Sequence, residues 1–408
     1  MSEWKEVKLG GIANVQTGPF GSQLHNEDYK VTGIPIVTVE HLGNKRFTKQ
    51  NLPFVSDEDC IRLGKYSMHT GDIIFSRVGA VDRCSYVTSE ENGWLFSGRC
   101  LRVRCNEDIN SEWLYYFFCL DSTKQNIRSI AVGATMPSIN TNILSNDVIV
   151  RIPCIESQRR IAAILSSLDA KIENNNKVNA KLEEIAQNLF KEWFVDFGPF
   201  KDGKFVDSEL GPIPEGWRVG TLSDIGSIVG GSTPSKSHPE YYTSEGIAWL
   251  TPKDLSNTGV KFTSKGEIDI TEAGYNSTST KLMPKGSVLF SSRAPIGYLT
   301  IAKNEICTNQ GFKSVVPTFA GTGFIYYLLK QLTPEIENRA VGTTFKEASG
   351  SLMSSLNVII PDKKVLDRFE ILIKSLFDKQ ELLETESFKL STLRDTLLPK
   401  LMSGEIEV

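Results

Sequence analysis

The chain reads as an α+β protein made of two copies of one mixed domain, each copy followed by a long helix. Three observations lead there: a repeat at a shift near 213 residues, strand-like segments punctuated by glycine turns inside each copy, and a heptad stripe at the end of each.

The repeat comes first. Residues 4–18, WKEVKLGGIANVQTG, answer residues 217–231, WRVGTLSDIGSIVGG, aligning Trp4 with Trp217, Leu9 with Leu222, Ile12 with Ile225 and Gly18 with Gly231. The same shift aligns GIPIVTVEHLGN (33–44) with GIAWLTPKDLSN (246–257). Further on, GDIIFSR (71–77) answers GSVLFSSR (286–293), WLYYFF (113–118) answers FIYYLL (324–329), and AVGATMP (131–137) answers AVGTTFK (340–346). Small drifts in the offset are what loops of unequal length between constant packed elements produce. A solenoid repeats every ~20–50 residues, so this spacing means a duplicated domain rather than an array.

Within each copy, IPIVTVEHL, DIIFSRV, RCLRVRC and DVIVRI are short, β-branched and partly alternating, as strands are. SEWLYYFFCLD and GFIYYLLKQL fit short helices instead. The aromatic pairs Tyr115-Tyr116 and Tyr326-Tyr327 lie in these apolar runs and are read as core. After each globular part, apolar residues recur every seven positions: Ile161, Leu168, Asn175, Leu182 and Leu189 in the first helix, and Phe369, Leu376, Leu383, Leu390 and Leu397 in the second. Five heptads make a coiled-coil pattern, and neither helix is stable in water with its stripe exposed, so each is the natural partner of the other. Asn175 interrupts the first stripe; it either sets register as a buried polar residue or sits solvated at a gap in the contact. Pro399 is expected to kink or end the second helix, with Gly404 capping what remains. Asp362 is read as that helix's N-cap. A Gly-, Pro- and Asp-rich stretch, FVDFGPFKDGKFVDSELGPIPEGW, separates the first helix from the second globular part. The resulting segments are 1–154, 155–200, 201–362 and 363–408.

Composition narrows the function. The 408 residues carry 45 Lys+Arg against 49 Asp+Glu, and each of the four segments is net −1. No segment is a basic domain, so any nucleic-acid role must rest on local basic loops or on a partner that supplies counter-charge. The seven cysteines form no CxxC pair and the four histidines show no zinc spacing, which points to reduced thiols in the cytoplasm and no metal. No apolar run is long enough to span a membrane, and the N-terminus lacks the apolar core of a signal peptide. Phosphate-loop and dinucleotide fingerprints are absent, and the scattered histidines offer no base for a nucleophile. No catalytic residue is assigned.

Several stretches, in the order in which they occur along the chain and on this duplicated frame, resemble the DNA-specificity (S) subunit of type I restriction–modification enzymes. They are QTGPFGSQL (16–24), GGSTPSKSHPEYY (230–242), IAWLTPKDL (247–255), NQGFKSVVP (309–317), IPCIESQRRIAAILSSLD (152–169), NLFKEWFVDF (188–197), SELGPIPEGW (208–217) and LLPKLMSGEIEV (397–408). The resemblance implies two target-recognition domains, each reading half of a bipartite double-stranded DNA site. It also implies two spacer helices that pair as an antiparallel coiled coil and dock two methyltransferase (M) subunits. By the same analogy S-adenosylmethionine belongs to the M subunits, ATP and Mg to restriction (R) subunits, and no cofactor to this chain. The rival reading is a coiled-coil scaffold whose globular parts bind protein.

Base edges are read by Arg, Lys, Asn and Gln, and phosphates set the register. Lys45, Arg46 and Lys49 cluster in a polar loop; Arg77 and Arg83 flank a glycine-containing loop after a strand, and Arg293 is placed opposite Arg77 in the second copy. Lys253, Lys261 and Lys313 complete the second set, and Thr135 and Thr344 mark matched turns where backbone N–H and hydroxyl groups can meet phosphate.

Overall fold

The computed structural model describes residues 4–20, 23–43, 45–342 and 346–408. Backbone contacts divide the chain into two units, residues 1–172 with 389–408, and residues 173–388. Both long helices are continuous, Ile155–Phe194 and Lys363–Ser403, and each contributes one part to each unit.

In the first unit, strands Ala13–Thr17, Cys100–Cys105, Ile73–Ser76 and Cys84–Tyr86 form an antiparallel sheet in that spatial order. Alternation sorts its side chains onto two buried faces. Ile73, Phe75, Leu101 and Val103 pack with Trp113, Tyr116 and Phe118 of helix Ser111–Cys119. Ile74 and Cys100 turn the other way, onto Ile36, Val37, Leu95 and Phe96 of a smaller sheet. Asn110 caps helix Ser111–Cys119, its side chain accepting from Trp113 N at 2.8 Å. Lys5–Lys8 pairs with Ile149–Ile152, tying the first strand to the lead-in of the long helix.

The second unit repeats this plan. Its sheet runs Gly226–Gly230, Lys313–Pro317, Val288–Ser292, Ile296–Ala302, Phe262–Thr263. Val288, Phe290 and Val315 face helix Thr322–Arg339, whereas Leu289 and Phe312 face a second core with Leu250 and Ile306. Asp362 does cap the second long helix, accepting from Lys364 N at 2.7 Å.

Within each unit the two long helices run antiparallel. In the first, Asp169 pairs with Arg394 (2.7 Å), and Ile161 and Leu165 share a core with Leu398, Leu401 and Met402. In the second, Asn175 Nδ2 donates to Glu386 Oε2 (2.8 Å), and Phe190 lies against Phe369. Asn175 is fully buried rather than solvated, and among the described residues its Oδ1 has no hydrogen-bond partner.

Along the heptad positions, Ile161, Leu383 and Phe369 are buried, while Leu168, Leu182, Leu189, Leu376, Leu390 and Leu397 are half-buried. Residues beside the stripe are buried as well, at Leu165, Ala186, Phe190, Ile373, Phe377 and Leu401. The reason is that the helix ends also complete the cores of the globular parts. Pro399 does not end the second helix. The backbone stays helical to Ser403, where Gly404 stops it at φ +77°. The missing N–H falls in the last turns, and burial of Leu398, Leu401 and Met402 offsets its loss.

Candidate nucleic-acid interface

Three loops of the first unit converge by backbone hydrogen bonds. The loop after Ala13–Thr17 passes Gly18 so close to the Ser97 carbonyl that a Cβ there would lie 2.2 Å from it. Arg77 N donates to the Arg99 carbonyl and Ile139 N to the Arg77 carbonyl, joining the loop after Ile73–Ser76 to both neighbours. The third loop is a turn closed by the Val132–Ser138 bridge, with Gly133 at φ +108° and Thr135 exposed at its tip. Arg77 lays its guanidinium 4.5 Å from the centre of the Phe20 ring. Arg83 is exposed and reaches the Leu42 carbonyl at 3.5 Å, beside the turn that carries Arg46. Lys49 is exposed and pairs with Glu90. Arg99 and Phe20 belong to this face although the sequence reading passed over both. Among the described residues, none of Arg77, Arg83 and Arg99 forms an ion pair with a carboxylate, so all three remain available to phosphates or guanine edges.

The second unit builds the same frame with different side chains. Gly231 lies against Asn309 and Thr308, where a Cβ would meet their carbonyl oxygens at 2.1 and 2.2 Å. Ser292 N donates to the Gly311 carbonyl and Ala348 N to the Ser292 carbonyl, the two bonds that Arg77 makes in the first unit. Ser292, not Arg293, is therefore the counterpart of Arg77, and the assignment of Arg293 to that place is corrected. Arg293 takes the place of Val78, as the matched bridges Val78–Ser138 and Arg293–Glu347 show. A shift of one residue along a strand turns a side chain to the opposite face.

Basic residues of this second frame carry acidic partners. Arg293 and Lys313 share Glu347, at 3.3 and 3.2 Å, and Lys253 pairs with Glu267 at 3.1 Å. Thr344 lies outside the described residues. A cavity of about 390 Å³ opens beside Gln310, with Tyr242, Trp249 and Ile268 in its wall. If DNA binds here, Glu347 competes with phosphate for two cations. Glu347→Gln should then raise non-specific DNA affinity severalfold and steepen the salt dependence by ~0.9 in log–log slope per cation released. Titrations at several salt concentrations measure this; an unchanged slope would remove Arg293 and Lys313 from the interface.

Lys45 and Lys261, expected as DNA contacts, instead hold their ammonium groups inside the fold, Lys261 buried and Lys45 half-buried, and that expectation is corrected. Lys45 Nζ lies 2.9 Å from Glu112, 2.7 Å from Tyr116 OH and 3.1 Å from Asp169. Lys261 Nζ, on a residue only 7% exposed, lies 2.7 Å from Glu183, 2.7 Å from Tyr327 OH and 3.0 Å from Gln380. Neither ammonium reaches out to a phosphate.

These clusters set an acid limit on stability. Burial raises the Glu183 pKa, but the Lys261 and Lys330 ammonium groups outweigh it and hold the carboxyl well below the ordinary range. Burial pulls Lys261 down to about 8 against the attraction of Glu183. Asp169 is also lowered: burial opposes, and Tyr116, Arg394 and Lys45 prevail. A carboxyl depressed in the fold stabilises above its unfolded pKa, and that contribution disappears as pH falls through the folded one. The second unit should therefore lose stability below pH 4.5, the ordinary value for Glu183. Glu183→Gln should flatten that acid limb in melting temperatures taken from about pH 6 to about pH 3. An identical acid limb in the variant would contradict it.

Among the described residues no group of three or more His, Cys, Asp or Glu side chains is placed to hold a metal, and no helix is long and apolar enough to cross a membrane.

Residues 1–184 and 214–385 match the family model described as the type I restriction modification DNA specificity domain. Over 471 aligned residues the chain is 26% identical to the Type I restriction enzyme HindI specificity subunit of Haemophilus influenzae, with 100% of both chains covered. It is 38% identical over 197 residues to the Type I restriction enzyme MjaIX specificity subunit of Methanocaldococcus jannaschii, covering 46% of this chain and 45% of that one. The crystal structure of a type I restriction-modification system S subunit from M. genitalium matches with a TM-score of 0.63 at 14% identity, covering 98% of this chain and 96% of that one. At that identity the likeness concerns the fold.

Proposed function

The chain belongs to the family of type I restriction modification DNA specificity domains, and from that premise we propose that it is the non-catalytic subunit that reads a bipartite DNA site, one half per globular domain. One observation carries the reading: both units bring the same three loops together through matched backbone hydrogen bonds, while the side chains on those loops differ. A constant frame with variable side chains suits two readers of two different half-sites. Residues 1–154 and 201–362 are then the target-recognition domains, and 155–200 and 363–408 the spacer segments.

Partners supply the chemistry. Two methyltransferase subunits would bring S-adenosylmethionine, and restriction subunits ATP and Mg. Ile371, Leu372 and Leu382 on the second long helix are exposed, which supports docking of a partner on that helix. The net charge of −4 implies weak DNA binding by the chain alone and much tighter, salt-sensitive binding once M subunits join. Selection from a random duplex pool, with and without M subunits, tests both points. Enrichment of one bipartite motif in the complex is the expected result; protein binding with no enriched DNA would favour the scaffold instead.

A further inference from the structure

Lys45 and Lys261 occupy equivalent places. The Lys45 carbonyl accepts from Tyr86 N, and the Lys261 carbonyl from Ile301 N, on matched strands. Each ammonium reaches the second tyrosine of a Tyr-Tyr pair, Tyr116 or Tyr327, and a carboxylate on the first long helix, Asp169 or Glu183. Those two tyrosines donate in turn to the same carboxylates. The third acceptor differs: Glu112 for Lys45 and Gln380 for Lys261.

An ammonium has three N–H bonds, and in both units all three find an acceptor. Burying a charge in this way is costly, and well-packed apolar residues of similar volume are often as stable or more so. Stability alone therefore does not account for the same cluster in both copies. What three directed bonds supply, and an apolar contact does not, is a single orientation. Each lysine also adjoins an element that carries candidate DNA contacts. Lys45 lies in the turn next to Arg46 and Arg83, and Lys261 follows the helix Pro252–Thr258 that carries Lys253.

We propose that Lys45 and Lys261 are positioning residues, each orienting the DNA-reading loops of its own domain against the first long helix. This rests on the DNA-reading role proposed above. Each lysine should consequently affect one half-site, and the two should affect different halves.

The test uses the full chain assembled with its methyltransferase subunits. Methylation is measured on the recognised duplex and on duplexes with one base pair changed in either half. Lys45→Met should raise the KM for DNA about tenfold, equivalent to ~1.4 kcal/mol, with kcat little changed. Discrimination against changed base pairs should fall by a similar factor in one half only. Lys261→Met should do the same in the other half. Tyr116→Phe and Tyr327→Phe remove one hydroxyl while keeping the ring packed, and should shift the same half-sites about threefold, ~0.65 kcal/mol. These milder variants decide the matter if the methionine variants do not assemble. A merely structural role would lower the active fraction, hence kcat, and leave discrimination intact; that result, or equal loss in both halves, overturns the proposal. If the unaltered complex methylates no bipartite motif, the DNA-reading role itself fails. A discriminating unaltered complex with unaffected variants rejects only the positioning role.

Discussion

Replacing residues 1–154 with the corresponding segment of another family member should change one half of the methylated motif completely and leave the other half as it was. The three converging loops of the first unit all lie between Gly18 and Ser138, inside the exchanged segment. The surfaces it must fit lie outside: Ile161, Leu165, Leu398 and Leu401 complete its core, and Asp169 with Arg394 completes the lysine cluster. A donor with lysine and tyrosine at the places of Lys45 and Tyr116 should therefore give an active hybrid. A donor lacking them leaves the half-buried Asp169–Arg394 pair without two of the partners of Asp169 and should lose activity through weakened packing. Sequencing of methylated DNA from a strain carrying the hybrid reads the outcome. Simultaneous change in both halves would show that the domains do not read independently.

Gly231→Ala and Gly18→Ala should be the most damaging single substitutions on the proposed DNA face. Neither glycine has a left-handed φ; the constraint is the approach of neighbouring backbone. The added methyl carbon would sit 2.1 Å from the Asn309 carbonyl at Gly231, and 2.2 Å from the Ser97 carbonyl at Gly18. Backbone atoms cannot swing aside as a side-chain tip can, so the loop must lift off its neighbour. Overpacking of this kind costs about 1–3 kcal/mol, and a clash with backbone belongs at the upper end. The lifted loop also disperses the groups that converge on DNA, so half-site binding should fall more than stability does. Gly11→Ala, whose methyl meets nothing within 4 Å, is the control. Thermal melting and methylation kinetics on the three variants check this; a Gly231→Ala protein as stable and active as the parent would show that the close approach is absent.

Much of this architecture was legible before any coordinates. The shift near 213 residues is a linear property, and it predicted two similar units because equal sequences bury equal patterns. Helices Ile155–Phe194 and Lys363–Ser403 followed from periodicity, which is also local. Family membership was legible too, since its motifs are contiguous strings.

The site was less so. Lys45 and Lys261 look in sequence like loop cations, and nothing near them reveals partners such as Asp169, which is 124 residues from Lys45, or Gln380, which is 119 from Lys261. Matching Arg77 with Arg293 by letter was off by one residue. The pairing frame that puts Ser292 in Arg77's slot is a set of backbone bonds, not of residue types. Pro399 was read from its local effect, and the tertiary burial of Leu398, Leu401 and Met402 outweighed it. The sequence by itself thus determined the repeat, the long helices and the family, because those depend on neighbours along the chain. Which cations face solvent, and which residues occupy equivalent slots, only the tertiary structure decided: a charge is free or bound, and a side chain points in or out, according to groups brought close by folding from distant parts of the chain.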